Sequence, residues 1–250
     1  MKILQKTAEK VVFVEEMDES LANAIRRSAL EIPVLAIDEI EFHKNDSVLY
    51  DEVMALRLGL LPLEAEKTMT LPEKCTCKGK GCIKCEVQLK LQASGPCIVY
   101  AKSLKGKANV VYPDMPIVTL ASEQELEFIA TARLGKGKKH TKFSPGLIYY
   151  RNSAELEADK DLKNCEKYAE VCPQKVLTCE KGKLELTDKY KCDLCEACVD
   201  EAKKNGEVVR IFPGSEIVFC IESWGQMKAG DILKEAVDAL EDNLKQVEKA

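Results

Sequence analysis

Histidine and aromatic residues are scarce in this 250-residue chain, which has two histidines, one tryptophan and 6% aromatics overall. His43 and His140 lie far apart, and neither sits in a catalytic motif, so each reads as a surface or packing residue. No G-x-S-x-G, Walker A or G-x-G-x-x-G pattern is present. That removes the serine-hydrolase, P-loop and dinucleotide-binding readings. Gly135 and Gly137 stand among lysines, but no GK[ST] follows at P-loop spacing. The acids are spread over helical faces, with no paired acidic motif. An excess of positive charge is also missing. There are 37 Lys+Arg against 42 Asp+Glu, a net −5, which argues against whole-chain electrostatic binding of nucleic acid. No apolar run approaches the ~20 residues of a membrane span. The N-terminal stretch MKILQKTAEKVVFVEE lacks the apolar core of a signal peptide.

Cysteine, by contrast, is abundant, at twelve residues. Cys192-Asp-Leu-Cys195-Glu-Ala-Cys198, with Cys172-Pro173 upstream, has the spacing of a bacterial-ferredoxin iron–sulfur ligand set, C-x2-C-x2-C plus a distant Cys-Pro. In two-cluster ferredoxins each such motif appears twice and lends its fourth cysteine to the other cluster. Here the upstream copy would need cysteines at positions 162, 165 and 168, where the chain has Leu162, Cys165 and Tyr168. The fourth cysteine of the downstream copy would fall at Ala202. Ligand counting therefore leaves one complete set, Cys172, Cys192, Cys195 and Cys198, for one [4Fe–4S] cluster. The second site is lost, and Cys165 and Cys179 have no role. Reduced structural thiols or a plain zinc site are the plainer alternatives.

A second set is Cys75-Thr-Cys77-Lys-Gly-Lys-Gly-Cys82-Ile-Lys-Cys85, C-x-C-x4-C-x2-C. Gly79 and Gly81 permit a sharp fold-back, and four thiolates with no fifth ligand describe a closed structural zinc site. A vestigial or redox-active loop is the alternative. Both sets need free thiolates, so a reducing cytoplasm suits the chain better than a secreted disulfide scaffold.

The remaining elements follow from periodicity. Residues 2–16 read as strands. Asp18 opens a helix whose apolar face is Leu21, Ala24, Ile25, Ser28 and Ala29, and Pro33 stops it. Strand character returns at 34–42 and 48–50. A short helix at 51–63 ends near Gly59 and Pro62, and strands are expected at 87–92, 97–101, 108–111 and 117–120. Residues 123–134 fit helix or strand. The basic stretch 135–146, with Lys136, Lys138, Lys139, His140 and Lys142, reads as a solvated loop that could touch nucleic acid or an acidic partner. Strands resume at 207–223. From Asp231 the chain is an amphipathic helix with Ile232, Leu233, Ala236, Val237, Leu240, Leu244 and Val247 on one face. A stripe of this kind needs a partner surface.

Four segments carry a family resemblance: LANAIRRSALEIPVLAID (21–38), DEVMALRLGLLPL (51–63), HTKFSPG (140–146) and FCIESWGQMKAGDILKEAVDAL (219–240). Together they make the chain resemble the D subunits of archaeal DNA-directed RNA polymerase, a family related to the N-terminal domain of bacterial polymerase α and to the third-largest subunit of eukaryotic RNA polymerase II. The resemblance implies an α+β fold. A dimerisation domain would comprise 1–40 and 205–250, a mixed α/β insert domain 41–151 with the zinc loop 75–85, and a ferredoxin-like iron–sulfur domain 152–204. It implies a non-catalytic assembly subunit that pairs with subunit L, joins other polymerase subunits, and meets DNA only through the complex. Some relatives carry a three-iron cluster, which loss of one ligand would give. An electron-transfer protein is the competing class, but it needs further carriers and this chain lacks a second cluster. A zinc-loop nucleic-acid binder is disfavoured by the net acidity.

Overall fold

The computed structural model describes residues 1–66, 68–78 and 80–249. The chain opens with β1 (Lys2–Lys6), β2 (Lys10–Glu16) and α1 (Glu19–Ser28), then β3 (Pro33–Asn45), α2 (Asp51–Gly59) and a two-residue β4 (Leu63–Glu64). Next come β5 (Glu86–Ser94), β6 (Cys97–Tyr100), β7 (Lys105–Gly106), β8 (Asn109–Val110), β9 (Pro116–Leu120), β10 (Glu125–Lys136) and β11 (Gly146–Ala158). The rest is α3 (Cys165–Glu170), β12 (Leu177–Glu180), β13 (Lys183–Leu186), α4 (Ala197–Lys204), β14 (Val209–Ser223) and α5 (Ala229–Glu248). This is a mixed α+β chain, and it divides into two compact units.

The first unit comprises residues 1–6, 11–24 and 148–220. Its main sheet has the order β1-β2-β14-β11. Phe13 and Phe219 stack with ring centroids 5.3 Å apart, and Tyr150 stacks on Phe219 at 6.3 Å. A separate core joins α3, α4 and the β12–β13 hairpin around Leu162, Tyr168, Leu177 and Ala202. The hairpin turns on Lys181 (φ 51°) and Gly182 (φ 75°). Two positive φ angles in a two-residue loop match the right-handed twist of the strands.

The second unit comprises residues 7–10, 25–147 and 221–250. Its sheet has the order β3-β10-β5-β7. In β10 burial alternates strictly, with Leu126, Phe128, Ala130, Ala132 and Leu134 inward, which makes the stretch from Glu125 on strand rather than helix. Met54 and Leu58 of α2 complete that core. The first half of β3 is buried on both faces. Leu35 and Ile37 enter the main core, whereas Val34 and Ala36 pack on Phe143. Gly135 allows this close approach, since a Cβ there would lie 2.7 Å from the Phe143 ring.

Three local expectations change. Val48–Tyr50 is not strand, because the Asn45 amide donates to the Leu49 carbonyl at 2.9 Å and bends the chain away. The stretch 135–146 is only partly loop, since β10 runs to Lys136 and a 3-10 turn occupies Thr141–Phe143. In α1 Ala22 is fully buried while Leu21 is 47% exposed, so the buried face is rotated from the expected one.

Candidate metal centres

The loop between the short 3-10 turn Pro72–Lys74 and β5 carries the first set. The Sγ atoms of Cys75 and Cys82 are 3.5 Å apart, those of Cys77 and Cys85 3.5 Å, and those of Cys82 and Cys85 3.8 Å. Four sulfurs at 2.3 Å from one tetrahedral ion stand about 3.8 Å from each other, so the cage matches a single metal ion. Among the described residues this is the one group of three or more ligand-type side chains that converges within 4.8 Å. Lys78 (φ 55°) and Gly81 (φ 90°) fold the loop back. Gly79 lies outside the described residues. Gly81 also allows close approach, because a Cβ there would meet the Glu86 carboxylate at 2.3 Å. Glu86 is itself held by Arg133 Nε at 3.0 Å, which anchors the loop to the sheet.

The four thiols are not equivalent. The Cys77 backbone N–H, helped by the thiols of Cys77 and Cys82, brings Cys75 down to about 6. Burial, reinforced by Cys77, pushes Cys85 up to about 12. Binding a metal ion to this set requires its thiols to lose their protons.

The second set is spread over the turn after α3, the loop Cys192–Cys198 and the start of α4. Cys172, Cys192 and Cys198 share the core of the first unit, while Cys195 is exposed. Burial raises the Cys198 thiol to about 11, with the charges of Cys172 and Cys192 adding to it. Burial likewise raises Cys192, with Asp193, Cys172 and Cys195 contributing. Among the described residues these four do not converge within 4.8 Å as the Cys75 set does. Three of them are buried in one core, and four thiols are the donor type that an iron–sulfur cluster takes. Leu194 (φ 57°) and Glu196 (φ 60°) flank Cys195 in left-handed conformation, each at a cost of about 1–3 kcal/mol. Gln174 donates to Asp193 at 3.2 Å and ties the Cys172 turn to the Cys192 loop.

Two residues that the motif count passed over brace this region. The Arg151 guanidinium donates to the carbonyls of Cys192 and Tyr190. Glu207 accepts from the N–H groups of Lys163 (2.6 Å) and Asn164 (3.3 Å) and from the Tyr168 hydroxyl. No spacing rule marks either one. A charged residue bounding a cysteine-rich segment was the only signal.

The positions of the missing second cluster are filled. Leu162 is 4% exposed, and Tyr168 and Ala202 are fully buried in the same core. Cys165, the one thiol left there, is joined to Cys179 in a disulfide, so the two cysteines without a role have each other as partner.

The remaining candidates are structural. His140 Nδ1 accepts the Lys142 N–H at 3.1 Å and caps the 3-10 turn. Lys136 pairs with Glu31 at 2.9 Å, Lys138 also reaches Glu31, and Lys142 pairs with Asp38 at 2.8 Å. Burial opposes the Asp38 carboxylate, yet Lys142, Lys139 and Arg133 hold it below the usual range. The basic stretch thus folds onto its own acids.

Residues 39–149 match the family described as the RNA polymerase Rpb3/RpoA insert domain. Three similar proteins are each named DNA-directed RNA polymerase subunit Rpo3. That of Methanosphaera stadtmanae is 35% identical, covering 96% of this chain and 94% of its own length. That of Methanothermobacter thermautotrophicus is 36% identical, with 97% and 95% covered. That of Thermococcus kodakarensis is 36% identical, with 96% and 92% covered. Similarity at this level along nearly the whole length means that the chain belongs to the DNA-directed RNA polymerase subunit Rpo3 family.

Proposed function

We propose that this chain is the D subunit of an archaeal DNA-directed RNA polymerase, a non-catalytic assembly subunit that pairs with the small α-like subunit L and nucleates the enzyme. The observation that carries the pairing is α5. Ile232 and Ala236 are buried, but the same stripe continues outward through Val237, Leu244 (56% exposed) and Val247 (75% exposed). Two helical turns of apolar surface without cover fit a partner helix. The dimerisation domain would draw on 1–40 and 205–250, the insert domain on 41–151 and the ferredoxin-like domain on 152–204. DNA would be met only through the complex, in the cytoplasm. No described helix is long and apolar enough to cross a membrane.

Cys75, Cys77, Cys82 and Cys85 would hold one zinc ion, whose role is to fix the loop. Cys172, Cys192, Cys195 and Cys198 would hold one [4Fe–4S] cluster, or [3Fe–4S] if a ligand fails, with the filled positions at Leu162, Tyr168 and Ala202 supporting the count of one. When bound, such a cluster supplies crosslinking and one-electron chemistry.

Exposure of Cys195 favours a second reading, electron transfer, since an open cluster edge is what a redox partner needs. Co-expression with the small α-like subunit separates the two. Val237→Asp with Leu240→Asp places two charges in a seam where each unpaired ion costs several kcal/mol. The double variant should fail to co-elute with the partner. Normal co-elution would refute the pairing, and enzyme-like electron transfer to an acceptor would favour the second reading.

A further inference from the structure

Cys165 and Cys179 are joined across a sequence separation of 14, and Cys172 lies inside the loop they close. The bond ties the first residue of α3 to β12. Cys172 hangs from the other end of α3, its N–H donating to the Ala169 carbonyl at 3.3 Å. A helix of six residues has little stability of its own. Glu207 holds the backbone just before α3, and the disulfide adds a covalent tie from that end of the helix to β12, closing the loop that carries Cys172.

This bond is open to chemistry. Both cysteines line a recess of about 280 Å³ together with Lys163, Glu166, Lys167 and Gly182. Cys179 is half-buried and Cys165 is 2% exposed, so an incoming thiolate reaches the Cys179 sulfur first. Lys163 and Lys167 outnumber Glu166 in that lining, and the net positive charge favours an anionic attacker and a thiolate leaving group there. Metal binding by the eight cysteines assigned above would need surroundings that keep thiols reduced, and a disulfide in such surroundings is challenged continually.

We propose that Cys165–Cys179 is a thiol–disulfide exchange site for a small dithiol, and that its reduction loosens the turn carrying Cys172. One thiolate of the dithiol attacks the Cys179 sulfur, forming a mixed disulfide and expelling Cys165 as a thiolate that takes up a proton. The second thiol of the reagent then attacks the reagent's own sulfur and releases the Cys179 thiol. Two electrons and two protons pass to the protein, and the dithiol leaves as a cyclic disulfide. The same cyclic disulfide restores the bond in reverse. A consequence for cluster retention rests on the ligand assignment proposed for Cys172, Cys192, Cys195 and Cys198.

The test is anaerobic treatment of the full, metal-loaded chain with dithiothreitol, followed by alkylation mapping and amide hydrogen exchange. Cys165 and Cys179 should become alkylated together. Exchange at 169–176 should accelerate on the order of a hundredfold, the local opening that closing a loop of this length suppresses. Reoxidation should reverse both changes. The double variant Cys165→Ala, Cys179→Ala should exchange like the reduced protein and ignore the reagent. Iron should leave the reduced chain faster than the oxidised one. If only the denatured chain is reduced, or if reduction leaves exchange at 169–176 unchanged, the proposal is overturned. A wild-type chain without iron would refute the ligand assignment, while the exchange readout would still decide this inference.

Discussion

The Cys75–Cys85 loop and the Cys172–Cys198 segment each offer four cysteines, and they are organised in opposite ways. In the first, the ligands fall within eleven consecutive residues, and turn geometry alone brings the sulfurs to 3.5–3.8 Å. In the second, a distant cysteine must be delivered by a helix, a hairpin and a packed core. A closely spaced set can therefore form its site almost locally, whereas the dispersed set and its small core depend on each other. A segment of ~55 residues is only marginally stable by burial alone. Metal binding to such a segment is coupled to its folding.

The sharpest way to break the comparison is to remove a buried ligand from each region. Cys198→Ser should abolish cluster binding and strip most amide protection from 152–204, while zinc content stays unchanged. Cys82→Ser with Cys85→Ser should lose about one zinc and loosen only the neighbourhood of the loop. Hydrogen exchange with metal analysis reads both. Equal and local effects of the two changes would erase the distinction.

Next in size is Tyr168, the largest fully buried side chain, at a position where a second cluster would need a thiolate. Tyr168→Ala should cost about 3–5 kcal/mol in the first unit, as large-to-small core changes do. Denaturant unfolding with a probe in 152–204 measures it. A change below ~1 kcal/mol would mean that Tyr168 does not fill the vacated site.

The two regions should also differ in their response to pH, the Cys172–Cys198 region at both ends of the scale and the zinc loop at the acid end. Burial, then the Glu207 carboxylate, raises the Tyr168 hydroxyl to about 12. A raised folded value stabilises fully below the unfolded value of ~10 and is lost as pH rises through the folded one. The 152–204 segment should therefore lose stability between those values. Glu207 is lowered, first by the Tyr168 hydroxyl and then by the Lys163 N–H, so its contribution is present above the ordinary carboxylate range and is lost on acidification through its folded value. The zinc loop should release its ion as pH falls, since its thiolates reprotonate. Hydrogen exchange and zinc release followed across pH check both limbs.

The smallest effect is expected at Gly81. Gly81→Ala forces a side chain into left-handed backbone against Glu86, at about 1–2 kcal/mol, and should weaken zinc roughly tenfold. Competition with a chromophoric chelator measures it.

Much of this was legible in the sequence. Cysteine spacing marked the Cys75–Cys85 set that the fold brings together, strict alternation in β10 was visible though not decisive, and α5 followed from its period. What was hidden depends on tertiary contact. Nothing local says that Leu21 faces outward, that Glu207 caps α3, or that Arg151 braces the Cys192 loop. The Cys165–Cys179 bond escaped for a related reason. Motif counting left both cysteines over, and only the β12–β13 hairpin, signalled weakly by Lys181-Gly182, brings Cys179 to α3.

The most direct measurement is iron, sulfide and zinc analysis of the anaerobically purified chain. One dispersed cubane site and one compact tetrahedral site predict about four irons, four sulfides and one zinc per chain, or three irons if a ligand is lost. About eight irons, or a chain without zinc whose 75–85 loop stays ordered, would contradict it.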